Sequence, residues 1–389
     1  KSGYKRALGT VIDSQVTTLI ATIILYQLGT SQVKGFAWTL MLGIIASIIT
    51  AVFVTQLFLL LFSESKATAK NSLFCMNEDG TPKFHIRKQF HFIGNRKKFF
   101  IGSAAVIIAG LVLAFTVGMN YGIDFTGGTV MSYTFEKQPE IGDMRVALKA
   151  GGIDDAIIQS QKSADSTTDS IQVKSGYDKI DGGVEIGKAI TDTLKKAFPE
   201  SGMQEIGQDT IGSQIGEDLK RDATKAVIIA LIGMLIYISI RFEFGFALGA
   251  VVALLHDVLI TLGLFTLFGR QIGVTAIACF LTIVGYSVND TIVISDRIRE
   301  DLKKNKDLSF RDLCNRSIVT TLGRTVLTSL TTLLAVLSLL IFGGGAIFDF
   351  ALCMTIGVIA GVYSTIFIAT PVMLAWYKGR RPGMAKKDA

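Results

Sequence analysis

The sequence predicts an α-helical polytopic membrane protein with eight spans, built around a parallel internal repeat, and one small α+β domain on the outer face. Three observations carry that reading. Half of the 389 residues are hydrophobic, only 18% are charged and mean hydropathy is +0.48, too apolar for a soluble globular chain of this size. Eight apolar runs have the roughly 20 residues that cross a bilayer. A stretch near the start also recurs near the end in one ungapped register.

The runs fall at about 15–30, 36–62, 99–118, 222–240, 244–268, 272–298, 317–342 and 347–377. Lys and Arg gather in RKQFHFIGNRKK (87–98), DRIREDLKKNKDLSFRDLCNR (296–316) and YKGRRPGMAKK (377–387). The alternate connections GTSQVKG (29–35), GRQIG (269–273) and FGGGAIFD (342–349) are nearly uncharged. The positive-inside rule puts the first set in the cytoplasm and the second outside. The net charge of +7 therefore belongs to membrane-flanking loops, and nucleic acid is not an expected partner. Lys220, Arg221 and Lys225, at the outer end of a span, are offset by Glu217, Asp218 and Asp222.

The division that results is two spans in 1–62, a cytoplasmic linker over 63–98, a span at 99–118, an outer domain over 119–221, five spans in 222–377 and a basic tail over 378–389. In the outer domain TVMSYTF (129–135) alternates as a strand, EIGDMRVALKA (140–150) reads as a helix, and AIIQSQ (156–161) and SIQVKS (170–175) read as strands. EIGKAITDTLKKAF (185–198) follows as an amphipathic helix. This βαββα order predicts a ferredoxin-like sandwich.

Shifted by 314, residues 17–53 fall on 331–367 without a gap. Thr17, Thr18, Leu19 and Ala21 meet Thr331, Thr332, Leu333 and Ala335; Gly29, Phe36, Gly43 and Phe53 meet Gly343, Phe350, Gly357 and Phe367. Both hairpins run inside–outside–inside, so the repeats are parallel, about an axis along the membrane normal. An outer domain and four more spans precede the second hairpin, but only sixteen residues precede the first. A complete duplication makes this chain a fragment of a longer one.

A carboxylate at the bilayer centre costs roughly 2.5–3.5 kcal/mol even on insertion scales, so ionisable residues inside spans are the functional candidates. They are His256 and Asp257 midway along one span, Asp290 beside Asn289 in the next, and Arg324 about 12 Å into the one after, at 1.5 Å per residue. Asp124 and Asp349 stand at outer span edges. Asp290 and Asp257 in a bundle interior can load and release protons, with Arg324 as a charged partner. The alternatives are a static Asp290–Arg324 pair and an Arg324 that snorkels to the headgroups. His256 reads as a packing or hydrogen-bonding residue, and Asp296, Arg297, Arg299 and Glu300 as a solvated helix end.

Other motifs carry less. GGVEIGKA (182–189) has phosphate-loop spacing, but Ala189 stands where a Ser or Thr would bind Mg²⁺ and no buried strand precedes it. The glycines of YGIDFTGGT (121–129) read as a tight turn between span and domain. Cys75, Cys279, Cys314 and Cys353 form no CxxC pair, with Cys75 and Cys314 in cytosolic segments, and neither disulfide nor zinc is indicated. No triad, HExxH or metal spacing occurs, so an enzyme is not expected.

Together YGIDFTGGT, RFEFGFALGAVVALLHDVLITLG (241–263), VGYSVNDTIVISDRIRE (284–300) and TSLTTLLA (328–335) resemble the SecF half of the SecD/SecF protein-export family, through 99–377. Residues 3–44 resemble the last two spans of SecD. The resemblance implies an RND-superfamily fold in the bacterial inner membrane beside the SecYEG channel, with a SecA-driven preprotein as substrate, YajC as a further partner and lipid around it. It implies use of the proton gradient, with Na⁺ as the alternative coupling ion and no cofactor, to promote late steps of export. By motif, Asp290 is then the proton-carrying carboxylate, Arg324 its partner and Asp257 a supporting site, with His256, Asn289 and Asp124 as further support. An RND exporter of small molecules or lipids and a non-coupled brace of the translocon are the competing readings.

Overall fold

In the computed structural model of this chain, residues 2–28, 31–64, 92–154, 156–161, 170–176 and 183–382 are described. Within them eight segments have the length and hydropathy to cross a membrane: Leu8–Gln27, Lys34–Phe62, Ile93–Thr116, Gln214–Arg241, Phe244–Leu267, Val274–Lys304, Phe310–Phe342 and Ile347–Trp376. Each overlaps a run read from the sequence. Several continue past it into polar residues, because a helix satisfies its own backbone and does not stop where hydropathy falls. Most of the 63–98 linker, the last residues of the 378–389 tail and Cys75 lie outside the described residues.

The chain opens with α1 (Ser2–Leu28) and α2 (Ser31–Ile49), which runs through a π-helical stretch (Thr50–Val54) into α3 (Thr55–Glu64). Then α4 (Arg96–Thr116) leads to a one-turn α5 (Ile123–Thr126) and the α+β domain: β1 (Gly128–Thr134), α6 (Ile141–Ala150), β2 (Ile157–Gln161), β3 (Ser170–Ser175), α7 (Gly183–Ala197) and β4 (Gln204–Ile211). The chain re-enters the helical bundle as α8 (Ser213–Arg241), α9 (Phe244–Leu267), α10 (Val274–Lys304), α11 (Phe310–Phe342) and α12 (Gly344–Ser364). A second π-helical stretch (Thr365–Ala369) continues α12 into α13 (Thr370–Trp376). The two π-helical stretches sit 315 residues apart, one residue from the 314-residue register of the sequence repeat.

Helix α10 is the axis of the bundle. Its span is 78% buried, against 17% for α11 and 6% for Lys34–Phe62, and it packs on α1, α9, α11 and α12. Small residues allow the closest approaches. The Thr18 hydroxyl of α1 donates to Gly285 O of α10 at 3.1 Å, and α4 meets α9 where Gly110 faces Gly263.

The sheet of this domain has strand order β2-β3-β1-β4, every pairing antiparallel. Met131 and Tyr133 of β1 and Ile171 and Val173 of β3 point to one side, where Met144 and Leu148 of α6 and Ile186, Ile190 and Leu194 of α7 cover them. The Tyr133 hydroxyl lies 2.8 Å from Thr191 Oγ1, and burial holds its pKa above the usual phenol range. The segment with phosphate-loop spacing forms the first turns of α7. Strand β4 was not expected. Gln204–Thr210 are all exposed, so this edge strand lacks the apolar alternation that reveals a half-buried one.

Cys314, read as part of a cytosolic segment, is fully buried beside Phe310 and Leu313, because α11 begins seven residues before the apolar run. One further expectation is corrected. The end of α10 is paired rather than simply solvated: Thr10 Oγ1 donates to Asp296 (3.0 Å), Arg297 pairs with Glu300 (2.9 Å) and Asp301 (3.3 Å), and Ser317 Oγ donates to the buried Asp301 (2.8 Å). The starts of α1 and α11 supply those hydroxyls, and neither is visible from the α10 sequence alone.

Candidate functional site

Asp257 on α9 is 0% exposed and saturated with partners. Its Oδ2 accepts from Ser287 Oγ of α10 (2.6 Å) and from Ser364 Oγ of α12 (2.8 Å), while Oδ1 lies 3.0 Å from His256 Nδ1. The imidazole carries the chain onward. Its Nε2 is 3.1 Å from Ser103 Oγ of α4, which is 2.9 Å from Tyr363 Oη, and that hydroxyl donates to Phe99 O at 2.8 Å. One run of hydrogen bonds among buried side chains thus ties α4, α9, α10 and α12 together.

Asp290 lies one turn beyond Ser287 on α10 and turns toward α11. It is 8% exposed, and its one hydrogen bond among the described residues is from Ser329 Oγ at a long 3.4 Å. Tyr286 Oη donates to Ser329 at 3.5 Å. The two carboxylates therefore differ sharply in how many hydrogen bonds serve them. Asn289 is half-buried. Arg324 is exposed on α11, and no ion pair joins it to Asp290 within 4.0 Å. It lies about 21 Å along the helix from Phe310 at 1.5 Å per residue, because α11 starts seven residues before the apolar run. Asp124 stands apart between α4 and β1, where its Oδ2 accepts from Val274 N, the first residue of α10, at 2.9 Å. Nearby, Arg270 Nε donates to Asp349 at 2.6 Å. Among the described residues no cluster of three or more His, Cys, Asp or Glu could hold a metal.

Residues 189–379 match the family described as protein export membrane protein SecD/SecF, C-terminal, and residues 112–139 match the SecD/SecF GG motif. The protein translocase subunit SecF of Calditerrivibrio nitroreducens is 41% identical over 281 residues, covering 72% of this chain and 91% of that protein. The chain belongs to the SecD/SecF protein-export membrane protein family. Protein translocase subunit SecDF of Bacillus subtilis is 35% identical over 406 residues, covering 100% of this chain and 53% of its own length. A crystal structure of SecDF from Thermus thermophilus, described as a translocon-associated membrane protein, matches with a TM-score of 0.80 at 32% identity, covering 97% of this chain and 49% of that one. The chain thus spans about half the length of these SecDF relatives.

In this SecD/SecF member the sequence reading missed one intramembrane carboxylate. The first apolar run was taken to start at 15, whereas α1 begins at Ser2 and carries Asp13 within a candidate span. Asp13 is 8% exposed. Arg241 of α8 grips it with two bonds, Nε to Oδ1 at 2.9 Å and Nη2 to Oδ2 at 2.8 Å, and Tyr237 Oη adds a third at 3.3 Å. The signal was available as a lone acid in an otherwise non-acidic helix that leads into an apolar run. Replacing Asp13 by alanine is expected to destabilise the bundle by about 2 kcal/mol, the scale of a charged hydrogen-bonded pair. The Arg241 side chain is 43% exposed, so solvent holds the loss below that of a fully buried pair. A detergent-solubilised thermal unfolding series of Asp13→Ala and Asp13→Asn measures it. Equal midpoints for wild type and Asp13→Ala would show that the pair contributes nothing.

Proposed function

We propose that this chain is part of an accessory subunit of the Sec protein-export machinery that uses the proton gradient to promote late, outer-side steps of polypeptide translocation. The observation that carries the reading is the contrast at Asp290. A carboxylate enclosed in the most buried helix, with one long hydroxyl bond to serve it, is expensive when charged and cheap when protonated. Such a group is suited to exchange a proton, with Arg324 on the neighbouring helix as the cation that can approach and withdraw. The absence of a closed Asp290–Arg324 pair favours this over a static brace.

Asp257 and His256 are the supporting proton site. With a neutral imidazole donating from Nδ1 to the carboxylate, Ser103 must donate to Nε2 and Tyr363 to Phe99 O, leaving the 2.9 Å Ser103–Tyr363 contact without a proton. One extra proton shared by the pair lets Nε2 donate to Ser103 and Ser103 to Tyr363, which completes every link. The network therefore fits a pair that holds a transferable proton. The mechanism needs no cofactor and no covalent chemistry.

The basic helix ends lie opposite the end from which the βαββαβ domain projects, which supports an extracytoplasmic place for that domain. Its strand order supports a ferredoxin-like assignment. SecYEG, a SecA-driven preprotein and YajC are the partners proposed, in a bacterial inner membrane, with H⁺ or Na⁺ as coupling ion. The test is gradient-stimulated export in membrane vesicles carrying the full-length protein, wild type against Asp290→Asn at equal abundance. Export that still responds to the gradient in the variant would remove Asp290 from the coupling path.

A further inference from the structure

The GG-motif segment joins the membrane helices to the outer sheet with no slack. Between α4 and β1 three hydrogen bonds tie the segment to the loop that enters α10. Asn120 Nδ2 donates to Gly269 O (3.1 Å), Ile272 N donates to Asn120 O (2.7 Å) and Gly122 N donates to Ile272 O (3.0 Å). Tyr121 and Ile272 pair as a parallel bridge. One turn on, Asp124 Oδ2 accepts from Val274 N at 2.9 Å.

That last bond is unusual in where it comes from. The residue at the N-cap of α10 is Gly273, which has no side chain to cap the helix. Asp124, 150 residues earlier, supplies the acceptor instead, and its charge suits the positive end of the helix dipole. A Cβ on Gly273 would stand 2.5 Å from Asp124 Oδ2, so the two ways of capping α10 exclude each other sterically. The next residue, Phe125, is buried among Phe265, Ile272, Cys279 and Phe280. After it Gly127 (φ 79°) and Gly128 (φ 148°) turn the chain straight into β1, and a Cβ on Gly128 would collide with Ser175 O of β3. A one-turn helix is all that separates α10 from the sheet's β1 strand.

We propose that Asp124 is a positioning residue that clamps the N-terminus of α10 to the outer domain, so that a displacement of α10 at Asp290 is carried to β1. The clamp itself stands on the contacts above; that it transmits motion rests on the proposed role of Asp290. A simple cap and a clamp make different demands. A cap can be replaced from within α10, by a side chain at position 273. A clamp cannot, because its function is the bond between two parts of the chain.

The experiment measures spin-label distances in the full-length protein in lipid vesicles. One pair sits at Val146→Cys on α6 and Thr275→Cys at the start of α10, both exposed; a second pair joins Val146→Cys to Phe342→Cys at the outer end of α11. The clamp predicts a narrow Val146–Thr275 distribution in the native protein and in Asp124→Asn, which keeps an acceptor. It predicts a broadened distribution in Asp124→Ala that stays broad in Asp124→Ala/Gly273→Ser, even though the serine restores the thermal unfolding midpoint. Narrow distributions in Asp124→Ala, or narrowing when the serine is added, would overturn the clamp and leave Asp124 an ordinary cap. Transmission predicts that Asp290→Asn shifts the Val146–Phe342 distance in the native background and not in the Asp124→Ala/Gly273→Ser background. A narrow first pair with an unmoved second pair would refute transmission through Asp290 while leaving the clamp standing.

Discussion

Replacing Asp257 by alanine is expected to destabilise the helix bundle by about 3–5 kcal/mol, the range for breaking a buried charged network by removing one partner. The variant strands Ser287 Oγ, Ser364 Oγ and the Nδ1 of His256 in a site where the carboxylate was 0% exposed. Each stranded donor costs about 1–3 kcal/mol when no water can reach it. Ser364 has a fallback, since its hydroxyl also reaches Gly361 O at 3.2 Å, so Ser287 and His256 account for most of the loss. Asp257→Asn keeps one acceptor oxygen and should cost about 1–2 kcal/mol on the same scale. Thermal unfolding in detergent, read on intact protein at one concentration, separates the two. If Asp257→Ala unfolds within a degree or two of wild type, the network does not hold the four helices together.

The seam between α4 and α9 should be nearly as sensitive, for a steric reason. A Cβ on Gly110 would stand 2.7 Å from Gly263 Cα, and one on Gly263 would stand 3.0 Å from Gly110 Cα. The obstruction is backbone on both sides, so no side chain can swing away. Gly263→Val is expected to cost about 3 kcal/mol by overpacking. It should also draw Ser103, two turns along α4, away from His256, so amide exchange in α4 should rise with the loss of stability. Gly43, with nothing within 4 Å of an added Cβ, is the control. Gly43→Val should change stability by less than about 0.5 kcal/mol, as exposed substitutions usually do. Similar losses in the two variants would mean that helix propensity, and not the close approach, sets the effect.

The structure separates what hydropathy reveals from what it hides. All eight spans show in the sequence because lipid forces each crossing segment to be both helical and apolar. The same contrast makes Asp257 and Asp290 conspicuous, since a charge in an apolar run must be paired, protonated or put to use to be tolerated there. Asp13 was missed because the polar start of α1 blurred the edge of its run. Strand β4 was missed because an edge strand exposed on both faces leaves no period-two pattern.

What the sequence by itself determined is therefore the eight candidate spans, their order, the α+β character of the domain between α4 and α8 and the residues worth suspecting. Only the tertiary structure decided what each of those residues touches. It showed Asp257 saturated by hydroxyls from α10 and α12, Asp290 served by one distant serine, Arg324 unpaired with it, and Asp124 capping a helix that begins 150 residues later. It also joined Asp13 to Arg241 across 228 residues. The physical reason is one of range. Secondary structure in a membrane is set by hydrogen bonds and burial within a single segment, which the local sequence records. The state of a buried carboxylate is set by which helices pack against it, and packing between distant segments leaves no local trace.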